Sequence, residues 1–311
     1  MNIFLFRPIE ESKVDSLRSS HPDCNFLHST DPRELESSLP STDIVFGNPP
    51  PSLLAGATRL RWVQIVSSGF DEYQQLSRAG FLISTAHGIH SESLAQHVLM
   101  TMLMFARGNA HFSQCQGEAR WDRSPSVPFS LRGQTVGLIG FGGVGQELRK
   151  VLSNWGTRLL AVKRDPTPTS GVEVLKGAEG IDRLLAESQH IVVSLPKTAE
   201  TVGILDKRRV DLMRNGAFIY NIARGGLVDE VALLERLESG TLGGAALDVF
   251  AEEPLPRDSP WWKAPNTLIT PHIAGHHRDL GKVNLELFEK NLARFLNGSL
   301  PLNLANFERG Y

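Results

Sequence analysis

"GLIGFGGVGQEL", residues 137–148, places three glycines in G-x-G-x-x-G spacing between an apolar run and a helical pattern. In this spacing the first glycine permits a tight turn, the second lets the backbone approach a pyrophosphate, and the third allows close helix–strand packing. The following helix directs its unpaired N–H groups and positive dipole end at the same place. The stretch therefore predicts a dinucleotide-binding turn made by Gly140, Gly142, Gly143, Val144 and Gly145.

Apolar runs alternate with helical patterns on both sides of this turn. The runs are continuous rather than alternating, which is typical of parallel strands covered on both faces. Strands are predicted at residues 2–6, 25–28, 43–48, 61–68, 81–87, 135–142, 158–163, 190–196, 217–223, 244–250 and 266–272. A long helical pattern over 91–117 separates two series of strands, and a last one over 278–297 is expected to pack against the first series. The pattern predicts an α/β fold with right-handed crossovers, in two domains.

Composition excludes several classes of protein. The 311 residues are 41% hydrophobic and 21% charged with a net charge of −2, so nothing draws the whole chain to nucleic acid or an anionic membrane. The longest apolar run, 97–106, is too short to span a bilayer, and the first residues lack a basic leader. Cys24 and Cys115 are too few and too far apart for a disulfide framework or a zinc knuckle. We expect a cytoplasmic protein with no metal, nucleic-acid or membrane partner.

The strand after the glycine turn ends in two cations, Lys163 and Arg164. An acid about 20 residues on from such a turn normally binds the adenosine ribose. A ribose that carries a 2′-phosphate would be repelled by an acid and attracted by these cations. The pair therefore favours NADP over NAD. In the alternative interpretation Asp165 turns back to the ribose, helped by Pro166, and the two cations point to solvent.

Three polar segments follow apolar runs of the second series: "NIARGGLVDE" (221–230), "ALDVFAEEPLP" (246–256) and "TPHIAG" (270–275). Ligands bind beyond the carboxyl ends of strands in open α/β sheets, so all three segments are expected near the cofactor. Together they supply an arginine, acids and a histidine. Hydride transfer to a 2-oxo acid needs such a set, since the carboxylate must be held, the oxygen protonated and the proton donor oriented.

Arg224 suits the first task, because a planar guanidinium grips a carboxylate bidentately and polarises the adjoining carbonyl. His272 suits the second, since imidazole exchanges protons near neutral pH. Glu253 suits the third, as a carboxylate bonded to an imidazole orients it. Each of these residues taken alone is more often a surface ion pair or an ordinary loop residue. Their occurrence in order behind a dinucleotide turn favours the catalytic interpretation.

With these residues in place, the sequence resembles the D-isomer-specific 2-hydroxyacid dehydrogenases, which include glyoxylate/hydroxypyruvate reductases. The motifs that carry the resemblance are "GFGGVG", "SLPKTAETVGIL", "NIARGGLVDE", "ALDVFAEEPLP" and "TPHIAG". The resemblance implies a flavodoxin-like substrate domain over 1–98 and 279–311, and a Rossmann-type cofactor domain over 99–278, separated by a cleft. It also implies a homodimer.

The resemblance assigns roles to individual residues. Arg224 becomes the substrate-carboxylate arginine, Glu253 the partner acid and His272 the acid/base. Further cofactor contacts are implied for Leu195, Pro196, Thr201, Ala223 and Asp248, the last at the nicotinamide amide. The loop "SSGFD", 67–71, matches the segment whose backbone N–H groups hold the substrate carboxylate, which assigns Ser68 and Gly69 to substrate binding.

The sequence thus predicts an NADP-preferring reductase of small 2-oxo acids, such as glyoxylate or hydroxypyruvate, to D-2-hydroxy acids. Two alternatives stay open. One is an NAD(P)-binding sensor or corepressor-like protein on the same scaffold, which the intact arginine–glutamate–histidine set disfavours. The other is an NAD-dependent dehydrogenase of another substrate, which would use the same residues.

Overall fold

The structure, a computed structural model, describes residues 1–124, 128–165 and 167–310. The chain divides into two compact units: residues 1–90 together with the described residues from 277 onward, and residues 91–276. The domain boundary predicted at 98/99 falls inside a continuous helix, Ser91–Ala106, all of which lies in the second unit. No helix in the described parts of the chain combines the length and apolarity needed to cross a membrane.

The elements follow a regular βα alternation. The strands are β1 Asn2–Phe6, β2 Asn25–His28, β3 Ile44–Gly47, β4 Trp62–Gln64, β5 Leu82–Ser84, β6 Thr135–Ile139, β7 Arg158–Val162, β8 Glu173–Leu175, β9 His190–Val193, β10 Phe218–Asn221, β11 Gly244–Leu247 and β12 Thr267–Ile269. The α-helices are α1 Glu11–Ser20, α2 Pro32–Ser38, α3 Pro51–Leu54, α4 Ser91–Ala106, α5 Asn109–Gly117, α6 Gly143–Leu152, α7 Gly177–Glu187, α8 Lys207–Leu212, α9 Glu230–Glu238 and α10 Leu280–Leu296. Short 3-10 helices cover Leu39–Ser41, Asp71–Leu76, Ser153–Trp155 and Pro260–Lys263.

The first unit is a parallel sheet in the order β2-β1-β3-β4-β5, which is the flavodoxin-like order. Successive side chains of a strand enter opposite faces, and both faces here are apolar cores, which explains the continuous apolar runs. Helix α10 covers one face. Its Phe288 ring stacks on Phe46 at 4.3 Å and on Trp62 at 5.6 Å between ring centroids.

The second unit is a parallel sheet in the order β12-β11-β10-β9-β6-β7-β8. This is the doubly wound Rossmann arrangement, in which the order reverses between β6 and β9. Helix α4 buries Val98 and Met102 in the core on one face, and the core on the other face includes Ile191 and Ile219. The predicted α/β fold with a Rossmann-type domain is confirmed. By the general rule for open α/β sheets, this reversal predicts a ligand crevice at the carboxyl ends of β6 and β9.

Three local features differ from the sequence expectation. Strand β8 was not predicted, because it is a three-residue edge strand with mixed burial and gives no apolar run. The predicted helix over 91–117 is two helices, since Gly108 adopts φ +66° and ends the first one. Most strands are also shorter than their apolar runs, because the runs continue into buried loops at the strand ends.

A buried histidine lies at the opposite end of the second sheet from the predicted crevice. His190 opens β9, and its ring nitrogens contact the Tyr220 hydroxyl at 2.8 Å and Gln134 Oε1 at 2.7 Å. Burial lowers the pKa of His190 to about 4. Its imidazole therefore stays neutral at physiological pH and links β9 and β10 to the segment before β6.

Candidate functional site

The glycine turn joins β6 to α6, and two of its glycines are required by close packing. Gly140 has φ +97°, and a Cβ built there would lie 2.7 Å from the carbonyl oxygen of Ser194. A Cβ on Gly145 would lie 2.7 Å from the ring of Phe141. Neither place admits a side chain without movement of its neighbours. The first and third glycines of the motif thus act as the tight turn and the helix–strand packing position.

Gly142 differs from both, because a Cβ there would meet no protein atom within 4 Å. It is the N-cap of α6, and no side chain among the described residues caps that helix. Helix N-termini with unpaired N–H groups attract anionic groups through those donors and the helix dipole. The open backbone at Gly142, with Gly143 and Val144 in the first turn behind it, therefore fits a dinucleotide pyrophosphate.

The cation pair lies directly beside this turn. The carbonyl of Val162, the last residue of β7, accepts a hydrogen bond from the Gly140 N–H at 3.0 Å, and Lys163 and Arg164 follow at once. Arg164 Nη2 also contacts Glu200 Oε2 at 2.7 Å across exposed surface. The turn proposed at Pro166 in the alternative interpretation lies outside the described residues. The two cations thus follow the strand that adjoins the glycine turn, and Arg164 is paired with a carboxylate.

Thr201, which the family resemblance assigns to the cofactor, holds together the loop after β9. Thr201 is buried, and its hydroxyl donates to the Pro196 carbonyl at 2.6 Å and accepts from the Thr198 N–H at 2.8 Å. Leu195 packs next to Gly140: a Cβ built on that glycine would lie 3.1 Å from Leu195 Cδ2. Thr201 therefore shapes the loop. Direct contacts of Leu195, Pro196 and Thr201 with a cofactor stay predictions.

The arginine segment follows β10 and is held by Asn221. The Asn221 amide oxygen accepts from the Ala223 N–H at 3.2 Å, while its nitrogen donates to the Arg224 carbonyl at 3.3 Å. Arg224 Nη1 donates to the Ala223 carbonyl at 2.8 Å. Gly225 packs so closely on the Phe250 carbonyl that a Cβ would overlap it. The Arg224 segment and the segment after β11 are therefore in direct backbone contact.

Glu253 and His272, which follow β11 and β12, form a hydrogen-bonded pair. Glu253 Oε2 lies 2.8 Å from His272 Nδ1, and its Oε1 accepts from the Phe250 N–H at 2.9 Å. The His272 side chain is 47% exposed, and its backbone adopts φ +54°, a left-handed conformation rare for residues other than glycine. With Nδ1 bonded to the carboxylate, Nε2 is the nitrogen available for proton exchange.

The strained histidine is held in place by Asp248, at the end of β11. This carboxylate is 2% exposed and accepts from the Thr270 hydroxyl at 2.6 Å and from the Ile273 and Ala274 N–H groups at 2.9 Å each. The Asp248 carbonyl also accepts from the His272 N–H at 2.8 Å. Asp248 thus clamps the segment that carries the histidine. Its contact with a nicotinamide amide stays a prediction.

Sequence reasoning missed two supporting residues. His97 on α4 places Nε2 at 3.3 Å from the Thr270 hydroxyl, and since that hydroxyl donates to Asp248, His97 must be the donor. Burial lowers the pKa of His97, against an opposing effect of the nearby Asp248 charge. Glu230 Oε1 accepts from the Ala251 N–H at 2.7 Å, and its pKa is raised by burial and, to a smaller extent, by the neighbouring Glu253. Both contacts join segments distant in sequence, so no local pattern reveals them.

Ser68 and Gly69 lie in the first unit, in the loop after β4. The Ser67 hydroxyl donates to the Gly69 carbonyl at 2.9 Å, and the Ser68 hydroxyl donates to the Ala86 carbonyl at 3.3 Å. These bonds give the loop a defined shape. The assignment of Ser68 and Gly69 to the substrate carboxylate stays a prediction.

Comparison with known proteins gives a consistent result. Residues 99–274 match the model of the NAD binding domain of D-isomer specific 2-hydroxyacid dehydrogenases. The chain is 30% identical to D-3-phosphoglycerate dehydrogenase of Archaeoglobus fulgidus over 99% of its own length, and it spans 60% of the length of that relative. It is 29% identical to glyoxylate/hydroxypyruvate reductase A of Yersinia enterocolitica over the whole of both chains.

A solved structure is similar over nearly the full length. NADPH-dependent glyoxylate/hydroxypyruvate reductase from Sinorhizobium meliloti, in complex with NADP and sulfate, superimposes with a TM-score of 0.85 at 26% identity. The match covers 100% of this chain and 99% of the other. The resemblance inferred from the sequence motifs is confirmed.

Proposed function

The chain belongs to the D-isomer specific 2-hydroxyacid dehydrogenase family, and on that premise we propose that it is an NADP-preferring reductase of small 2-oxo acids. Glyoxylate and hydroxypyruvate are the substrates we expect, with D-2-hydroxy acids as products. The observation that carries the proposal is the Glu253–His272 pair, 2.8 Å apart, in a segment clamped by Asp248 and adjoining the Arg224 segment. A module that only binds the dinucleotide would not need a proton donor held in a strained backbone conformation.

The chemistry divides among three side chains. The Arg224 guanidinium binds the substrate carboxylate and polarises the neighbouring carbonyl. His272 Nε2 gives a proton to the carbonyl oxygen, and Glu253 holds the ring by Nδ1 and stabilises the imidazolium before transfer. A nicotinamide bound beside these residues would supply the hydride for the substrate carbon. One hydride and one proton convert the 2-oxo acid to the 2-hydroxy acid, and His272 accepts the proton in the reverse direction.

The NADP preference rests on the cations after β7. Lys163 and Arg164 follow β7, whose last carbonyl accepts a hydrogen bond from the glycine turn. The adenosine ribose of a bound dinucleotide is expected at the end of this strand. A 2′-phosphate there would gain charge-assisted hydrogen bonds and would compete with Glu200 for Arg164. The enzyme from Sinorhizobium meliloti, which has the same fold, is NADPH-dependent and was solved with NADP. Cytoplasmic location and a homodimeric state stay predictions from the sequence.

The first experiment follows oxidation of NADPH and NADH by the purified chain, with glyoxylate, hydroxypyruvate and phenylpyruvate in parallel. Turnover mainly with NADPH is the expected result. Turnover mainly with NADH would keep the reductase and refute the role of the cations, in favour of Asp165. Tight cofactor binding with no turnover of any of the three acids would refute these substrates and favour a different substrate or the sensor.

A variant tests the cations directly. Lys163→Asp with Arg164→Ala is expected to raise the KM for NADPH at least about tenfold, since charged hydrogen bonds contribute about 1.5–3 kcal/mol each. The KM for NADH should change much less. The double variant Lys282→Asp with Arg33→Ala, in the first unit, changes the net charge equally and controls for long-range electrostatics. An unchanged NADPH/NADH ratio in the first variant would refute the assignment.

A further inference from the structure

A second group of reactive side chains lies on helix α5 and the loop that follows it, within the second unit. His111 and Cys115 are four residues apart on the helix, so they lie on the same face. Asp122 folds back from the loop. One ligand atom from each residue lies within 4.8 Å of the other two. The proposed reductase chemistry uses none of these three residues.

The His111–Cys115 distance, a sulfur–nitrogen hydrogen bond in this structure, is close to the separation that a tetrahedral zinc ion requires. His111 Nε2 lies 3.5 Å from Cys115 Sγ. Zinc bonds of about 2.0–2.1 Å to nitrogen and about 2.3 Å to sulfur, at the tetrahedral angle, separate the two donors by about 3.6 Å. The helix therefore holds both donors at the required separation before any ion binds.

The carboxylate is oriented by its own partners. Asp122 Oδ1 accepts from the Ser124 N–H and hydroxyl at 2.9 Å each, and the Arg120 guanidinium contacts Oδ2. These contacts fix the orientation of the carboxylate at the start of the loop after α5. Hydrogen bonds of this kind commonly orient a ligating carboxylate, which keeps a lone pair for the metal. Arg120 is further held by Glu118 at 3.0 Å.

We propose that His111, Cys115 and Asp122 form a binding site for Zn²⁺, with the fourth tetrahedral position left for water. A thiolate and an imidazole select zinc over the hard cations Mg²⁺ and Ca²⁺. A Cys115 thiolate, formed by loss of its proton as the metal binds, and the Asp122 carboxylate supply two anionic ligands, the carboxylate also keeping its ion pair with Arg120. From the sequence, no metal was expected because Cys24 and Cys115 are too far apart to bind one ion together. The proposed site needs only one cysteine, with a histidine one helical turn away. Zinc would tie the loop 118–124 to α5.

The test titrates ZnCl₂ into the full-length chain, without a histidine tag and with a non-thiol reductant, by isothermal calorimetry. One saturable site is expected in the wild type. Cys115→Ser and His111→Gln should each weaken it at least about tenfold. Cys24→Ser removes the other cysteine, which lies in the first unit, and should bind zinc like the wild type.

Cobalt identifies the ligand independently. Co²⁺ bound by a thiolate gives an intense near-ultraviolet charge-transfer band, which we expect in the wild type and in Cys24→Ser but not in Cys115→Ser. His111→Gln keeps the thiolate, so it serves as the informative variant if Cys115→Ser fails to fold. No saturable zinc binding in the wild type, or wild-type zinc affinity in both Cys115→Ser and His111→Gln, would overturn the proposal.

Discussion

Substitution of the glycine at the start of α6 separates cofactor binding from folding. A Cβ on Gly142 meets no protein atom within 4 Å, so Gly142→Ala should lose only the N-cap preference of glycine over alanine, less than about 1 kcal/mol of unfolding free energy. The same methyl would occupy the space that a pyrophosphate needs against the helix N-terminus. Loss of one hydrogen bond to a charged group costs about 1.5–3 kcal/mol, which weakens NADPH binding roughly 10- to 100-fold.

Gly145→Ala is the matched control, because its Cβ would lie 2.7 Å from the Phe141 ring. Overpacking of this kind costs about 1–3 kcal/mol of stability. Urea unfolding without cofactor and calorimetric titration of NADPH measure the two effects separately. If Gly142→Ala binds NADPH as tightly as the wild type, or loses as much stability as Gly145→Ala, the assignment of the α6 N-terminus to the pyrophosphate is wrong.

Three further predictions concern the residues around the catalytic pair and the buried histidine. Gly225→Ala should force the arginine segment away from Phe250. A misplacement of about 1 Å can lower kcat/KM about 100-fold, which is the loss expected here. Gly56→Ala, whose Cβ would meet no atom within 4 Å, is the control. His97→Leu should lower kcat roughly tenfold, because it removes the hydrogen-bond donor to Thr270. His97→Gln keeps a donor and should retain most of the wild-type kcat. Equal losses of kcat in the two variants would contradict this role. His190 has a folded pKa of about 4, below its ordinary 6.5, so the unfolded chain binds the proton first and stability falls as pH drops. From pH 7.5 to 5.0 the wild type should lose about 2 kcal/mol more than His190→Gln in urea unfolding, and equal losses would refute the assignment.

The sequence predicts most of the fold because its signals are local. The parallel strands are continuous apolar runs, and the glycine turn needs its residues at fixed spacing. Strand β8 gives no such signal, since it is short and lies at the sheet edge. Gly108 ends α4 through its backbone conformation, while the apolar pattern continues past it.

The sequence predicts the residues of the candidate site that stand in short motifs, but not the contacts that hold them in place. Arg224, Glu253 and His272 each stand in a short recognisable segment. Their support depends instead on contacts between distant segments, such as the one between His97 and Thr270, 173 residues apart. Asp248 was assigned to the cofactor from the family pattern, and the three hydrogen bonds of its carboxylate to the histidine segment could be seen only in the structure.

Steady-state reduction of glyoxylate and hydroxypyruvate by His272→Gln tests the central claim most directly. If His272 donates the proton, kcat should fall at least about 100-fold with both substrates, because general acid catalysis contributes about 10²–10⁴ in rate. NADPH affinity and the urea midpoint should stay near the wild-type values, since the side chain is 47% exposed. Turnover within a few-fold of the wild type would show that another group donates the proton and would contradict the proposed mechanism.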